Sequence, residues 1–210
     1  MANSTDNNLL ESLALLSHSA SAKRRSGAKR LRKLKNPSAG EALLSSLQKE
    51  IKDPRTWETQ YQMIMALGEC NYTPALSFLN QLAREKFQAT ALYAALGDSI
   101  VRLSRKFEND PEPVLEIMKS ENDMLIDGAF RAVAMMRLNL DDNAVKQIIQ
   151  FVSRRSSNDW LLFWVVAAAP GWSGETVKQF VQYCSQSSRD DIRKAALAAQ
   201  QGKYLKWNPL

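Results

Sequence analysis

The chain has 210 residues, enough to bury roughly 70% of the surface it exposes when unfolded. Its formal charge of +6 is local. Residues 23–35 hold Lys23, Arg24, Arg25, Lys29, Arg30, Arg32, Lys33 and Lys35 and no acid, whereas the rest of the chain holds 20 basic against 22 acidic residues, which excludes a globally basic protein.

No apolar run approaches the ~20 residues of a membrane span. Residues 1–8 carry Asp6 and no cation, and Glu11 and Ser12 break the apolar stretch Leu9–Leu16, so no secretory signal is predicted. Cys70 and Cys184 stand far apart in or beside apolar faces, without metal-ligand spacing, and read as small buried hydrophobes. A cytoplasmic protein without a membrane partner is expected. Alternating Val/Ile/Thr runs are absent, and Leu, Ala, Gln, Glu, Lys and Met dominate, so the predicted elements are helices.

In chain order, residues 1–7 look disordered, and Leu9–Leu16 predicts a short capping helix. Ser17–Ala22 is a break. A first helix follows with Ala28, Leu31 and Leu34 on one face, ended by Asn36-Pro37 because the residue before proline avoids the helical region. Its partner carries Leu43, Leu47 and Ile51. Asp53-Pro54 starts the next helix, with Tyr61, Ile64, Met65 and Leu67 inward and a stop near Gly68. Thr73-Pro74 repeats the cap, and Leu76, Leu79 and Leu82 are buried. Then come Leu92, Leu96, Ile100 and Leu103; Asp110-Pro111 with Val114, Leu115 and Met118; and Ala129, Val133 and Met136. Asp141 or Asp142 caps Val145, Ile148, Ile149 and Val152. Leu161, Val165 and Ala168 precede a Pro170–Gly174 turn. Val177, Phe180, Val181 and Cys184 follow, and Arg189–Gly202 buries Ile192, Ala196 and Leu197. The tail from Tyr204, with Trp207 and Pro209, is expected to cover the last open face.

These elements repeat. Leu43, Leu76, Val114, Val145 and Val177 are spaced 33, 38, 31 and 32; Leu31, Ile64, Leu96, Val133, Val165 and Leu197 are spaced 33, 32, 37, 32 and 32. The long spacings share one insertion of about six residues. A fixed period of this length marks a solenoid, in which each helix pair needs its neighbours to bury its apolar face.

The stretches AKRLRKLKNPSAGEALLSSL (28–47), ALGECNYTPALSFLNQL (66–82) and SRDDIRKAALAA (188–199) resemble short HEAT-type repeats of the phycobilisome-lyase variety. The resemblance covers about residues 22–202. It implies an all-α, right-handed α-α superhelix of about five helix pairs plus a terminal half repeat. Residues 1–21 and 203–210 form tails. The Asp/Arg ladder that the family stacks in successive repeats is matched only by Asp190 or Asp191 with Arg193. The resemblance implies a binding scaffold whose second helices line a concave surface.

No catalytic centre, metal site or cofactor is predicted. The only histidine, His18, lies outside the repeats, and Gly171-Trp172-Ser173-Gly174 is followed by Glu175, where a nucleophile elbow needs glycine. Asp141/Asp142 and Asp190/Asp191 fit helix caps. Asp159, Trp160 and Trp164 resemble a base-holding cluster of HEAT-like glycosylases that excise alkylated bases, although Trp160 falls on the core position of Ile192. The basic segment suits phosphates or an acidic protein, and equally a solvated outer face; weak, non-specific nucleic-acid binding through residues 23–35 is the most it predicts.

The polar pattern most specific to the repeat compares Lys146-Gln147-Ile148-Ile149-Gln150 with Lys178-Gln179-Phe180-Val181-Gln182. Lys146/Lys178, Gln147/Gln179 and Gln150/Gln182 align as rows on adjacent second helices. Rows of this kind hydrogen-bond with little charge and suit a protein partner. With Trp172 in the neighbouring turn, they form the candidate binding surface. The expected function is non-catalytic protein binding, as an adaptor or a dedicated, immunity-type inhibitor. The alternative is a nucleic-acid-binding relative of the glycosylases.

Overall fold

The computed structural model describes residues 2–206, and every regular element among them is helical. Trp207 and Pro209, expected to cover an open face, lie outside the described residues. Contacts divide the chain into two compact units, 1–104 and 105–210. The division falls within the irregular spacing noted in the sequence.

The first unit holds α1 (Ala2–Leu16), α2 (Ser21–Leu34), α3 (Gly40–Glu50), α4 (Trp57–Glu69), α5 (Leu76–Leu82) and α6 (Ala91–Ser104). In one layer α1 packs on α2, α2 on α4, and α4 on α6; α3 packs on α4, and α5 on α6. Residues 2–7, expected to be disordered, instead form the first part of α1, and no glycine or proline interrupts the helix there. Helices α3, α4 and α5 each open from a proline-bearing 3-10 turn. Asn36 accepts from the Ser38 amide before Pro37-initiated residues, and Asp53 accepts from the Arg55 amide. Thr73 is not a cap: Tyr72 takes that place without a side-chain bond.

α4 ends at Glu69, beside Gly68 as expected, yet Gly68 has a further role. It lies inside the helix, where a Cβ would come within 2.8 Å of the Ser99 backbone on α6. Ser99 Oγ donates across the same contact to the Ile64 carbonyl at 2.8 Å. The glycine therefore sets how closely α4 and α6 approach. Asn71, at φ 54°, marks the end of that stretch in the left-handed region that Asn tolerates.

The second unit holds α7 (Glu112–Ile117), α8 (Asp123–Met136), α9 (Asp142–Ser153), α10 (Leu162–Ala168), α11 (Glu175–Ser185) and α12 (Asp190–Gln200). Here α8 packs on α10 and α10 on α12; in the other layer α7 packs on α9 and α9 on α11, and α11 also meets α12. Asn122 caps α8 by accepting from the Met124 and Leu125 amides, and Asp141 caps α9 from the Asn143 and Ala144 amides. Asp190 and Asp191 do not cap α12. Arg189 is the N-cap, and the two acids sit in the first turn, paired with Arg193, Lys194 and Arg189.

Most anchors are buried: Leu31, Leu43, Ile64, Leu96, Val114, Val133, Val145, Val165 and Val177. Two differ. Leu76 is only half-buried because it opens α5 directly from the turn, leaving Leu79 and Leu82 to seal the contact with α6. Leu197 is 47% exposed, and α12 buries Ile192, Ala195 and Ala196 instead. No described helix follows α12 to cover that face. Trp160 lies in the turn before α10 and is half-buried, so it shares no helix face with the buried Trp164 and does not occupy the position of Ile192.

Candidate functional site

The lysine and glutamine rows are set by amphipathic periodicity. On α9, Val145, Ile148, Ile149 and Val152 are buried, which turns Lys146, Gln147 and Gln150 outward. On α11, Val177, Phe180, Val181 and Cys184 are buried, and Lys178, Gln179 and Gln182 are exposed. Because α9 packs directly on α11, the two triplets stand on neighbouring helices. Two members are already engaged: Gln179 Nε2 donates to Glu175 Oε1 at 3.1 Å, and Gln182 Oε1 accepts from Gln200 Nε2 of α12 at 3.2 Å.

Beyond α11 the surface sinks into a cleft of about 770 Å³, lined among others by Pro170, Trp172, Val177, Lys178, Val181 and Gln182. Three predicted site residues thus share one cleft. Trp172 is its wall rather than a protruding anchor. It is 8% exposed, and its indole N–H donates to the Leu138 carbonyl at 3.0 Å. Lys146, Gln147 and Gln150 lie outside the cleft lining, on α9.

The basic segment forms α2 and is largely matched by carboxylates. Arg24 grips Glu50 with two bonds, Nε to Oε2 at 2.5 Å and Nη2 to Oε1 at 2.8 Å. Ser21 Oγ donates to the same carboxylate at 3.1 Å. Burial would raise the Glu50 carboxyl, but the bonds from Arg24, Thr56 and Ser21 outweigh it and hold it below the usual carboxylate range. Arg25 pairs with Glu58, and Arg30 lies 3.8 Å from Glu11. Glu69 receives Arg32 Nε at 3.2 Å and Lys35 Nζ at 3.1 Å. Burial opposes its ionisation, yet the charge of Arg102, the bond from Lys35 and the charge of Arg32 together lower its carboxyl. Lys23, Lys29 and Lys33 are exposed, and among the described residues no carboxylate pairs with them. Five of the eight cations of residues 23–35 are therefore paired with carboxylates, Arg24 and Arg32 the least exposed of them.

Asp159 accepts from the Leu161 amide at 2.9 Å and lies 3.4 Å from Arg155, whose guanidinium holds Asp123 at 2.7 and 2.9 Å. That carboxylate orients a turn. His18 Nδ1 accepts from the Ala20 amide at 2.9 Å, which serves the α1–α2 break. Some groups went unnoticed in the sequence. Asp98 is fully buried on α6 and binds Arg102 one turn on, an i,i+4 pair that the sequence does offer. Arg131 lies over the Trp164 ring at 5.9 Å, and Arg137 over the Tyr204 ring at 4.5 Å. Nothing local in the sequence signals those contacts.

No helix among the described residues is long and apolar enough to cross a membrane. No family model matches the chain, and no curated protein matches it. Among solved structures, it is similar to the crystal structure of an engineered protein at 18% identity and a TM-score of 0.37, over 95% of this chain and 99% of the other.

Proposed function

We propose that this chain is a HEAT-like repeat protein that binds another protein and carries out no catalysis of its own. In this reading the paired helices belong to a right-handed α-α superhelix, and α9 and α11 present the binding face. The observation that carries it is the exposure of Lys146, Gln147 and Gln150 beside Lys178, Gln179 and Gln182, in one register, over a buried apolar layer. Core packing does not require these polar identities. The cleft of about 770 Å³ beyond α11 adds an apolar recess bounded by Trp172, Val177 and Val181, of the size that takes a partner's side chains. A surface with an apolar recess and a polar, weakly charged surround has the composition of a protein interface. An adaptor or a dedicated, immunity-type inhibitor in the cytoplasm fits a small scaffold of this kind.

The test is a quadruple substitution, Lys146, Gln147, Lys178 and Gln179 each to Ala. Wild type and variant are compared in affinity capture from the native cell and then against each purified candidate. The reading predicts a partner held by wild type, at least tenfold weaker binding to the variant, and melting temperatures within about 2 °C. Equal affinity would place the interface elsewhere.

A further inference from the structure

The two positive-φ cations that close first helices occupy the same repeat position but have different fates. Lys35 stands four residues after Leu31, and Arg137 four residues after Val133. Both adopt the left-handed conformation at a helix C-terminus, with φ 52° and 55°. This position favours Gly or Asn, and a long side chain there carries a backbone cost. For Lys35 the side chain has a visible use. Its ammonium binds Glu69, five residues after the Ile64 anchor of the next first helix. The corresponding place for Arg137, five residues after Val165, is Pro170. Between these two units the cation is kept and its acid is replaced.

Around Arg137 the second unit forms a different structure. Its guanidinium lies over the Tyr204 ring at 4.5 Å. Tyr204 is in turn seated by Gly171: a Cβ on that glycine would come within 2.5 Å of the Tyr204 hydroxyl. Gly171 does not have a positive φ, so clearance for Tyr204 is the demand on it that the structure makes visible. Between these groups lies a cleft of about 360 Å³ whose walls include Arg137, Phe163, Trp164, Tyr204 and Lys206. None of the described residues lining it is acidic. Among the described residues, neither Arg137 nor Lys206 has a carboxylate partner. A comparable aromatic cleft in the first unit, about 510 Å³ beside Trp57, Phe78 and Phe87, carries both Glu85 and Lys86 and so shows no charge preference.

The geometry points to a binding site for a small planar aromatic anion. The flat body of the ligand lies against the half-buried Tyr204 ring, while Phe163 and Trp164, buried and packed edge-on to each other, close the apolar wall behind it. Its phosphate or carboxylate meets the Arg137 guanidinium and the Lys206 ammonium. Arginine suits this role because one face stacks on Tyr204 while its N–H edge stays able to fork onto two oxygens. The volume lies at the lower end of small-molecule pockets. This site is separate from the Lys/Gln surface and does not depend on a protein partner.

The experiment titrates the full chain calorimetrically with AMP and with 2-naphthoate, each beside its neutral counterpart, adenosine or 2-naphthalenemethanol, and with ribose 5-phosphate. The anionic ring compounds should bind about tenfold or more tightly than either the neutral rings or the ringless phosphate. Binding of AMP alone would support the site with a phosphate-bearing source; binding of 2-naphthoate alone would support it with a carboxylate-bearing source. Arg137→Gln with Lys206→Gln should remove the preference for the anion and leave adenosine unchanged. Tyr204→Ala, at a half-buried position, should weaken all ring compounds without lowering the melting temperature by more than a degree or two. Equal binding of charged and neutral rings, no binding at millimolar concentration, or unchanged affinity in the double variant would overturn the proposal.

Discussion

Leu76 and Leu79 sit one helical turn apart on α5, and the fold gives them unequal weight. Leu79 is fully buried against α6, whereas Leu76 opens the helix and is half-buried. Truncating leucine to alanine removes three carbon groups, worth about 0.8 kcal/mol each when wholly desolvated. For Leu79 that transfer loss is about 2.4 kcal/mol, and a cavity adds to it; measured Leu→Ala costs span roughly 2–5 kcal/mol. We therefore expect about 3 kcal/mol for Leu79→Ala. Leu76 keeps part of its surface in water and leaves an open notch rather than a closed void, so Leu76→Ala should cost about 1 kcal/mol. For a chain of this length, each kcal/mol moves the melting temperature by roughly 2–4 °C. Urea titration followed by far-ultraviolet circular dichroism measures both, and equal denaturant slopes would license the comparison. If Leu76→Ala destabilised as much as Leu79→Ala, the packing assigned to α5 would be wrong.

Four further outcomes are expected. Arg24→Ala leaves Glu50 buried without its guanidinium and should cost about 3 kcal/mol near neutrality. In the wild type the Glu50 and Glu69 carboxyls are lowered on folding, so their contribution is present above the ordinary glutamate range and fades as the pH falls through their folded values; Glu69→Gln should flatten that acid limb. Gly68→Ala should lower the melting temperature by several degrees because the new methyl meets Ser99 backbone on α6, while Gly202→Ala, with open space around it, should show only the modest strain of its positive φ. Burial pushes the Cys70 thiol up to about 11 and the Cys184 thiol up to about 12, so a thiol reagent at pH 8 should label neither until urea unfolds the chain; labelling of the native protein would mean that the end of α4 or α11 opens locally.

Much of the helical order was legible because two simple signals agree. Apolar spacing near 3.6 placed the buried faces of α2, α4, α8, α9 and α11, and proline after Asn36, Asp53 or Asp110 marked where helices break. The misplaced anchors have physical reasons. Repeat alignment treats Leu76 like Leu43, but a 3-10 turn shifts where α5 begins. Alignment treats Leu197 like Val165, but burial needs a following helix as well as a register. The helix end near Gly68 was legible, but its second role was not, because a glycine near a helix end and one that lets two helices touch look alike in sequence. At the candidate surface, the outward direction of Lys146 and Lys178 follows from periodicity alone. The burial of Trp172 depends on the Leu138 carbonyl 34 residues earlier, which no local pattern encodes.

The ion pairs of α2 also have a temporal side. Residues 1–49 contain nine lysines and arginines and only three acids, Asp6, Glu11 and Glu41. The carboxylates that neutralise Arg24, Arg25 and Arg32 are Glu50, Glu58 and Glu69, all made later. During synthesis at about 5–20 residues per second, residues 23–35 stay without these acids for roughly one to four seconds while residues 50–69 are added. Self-repulsion disfavours collapse of this segment onto itself during that interval. Once α3 and α4 arrive, each guanidinium finds its own acid, and the charge that delayed compaction becomes a set of matched pairs that selects the native neighbours.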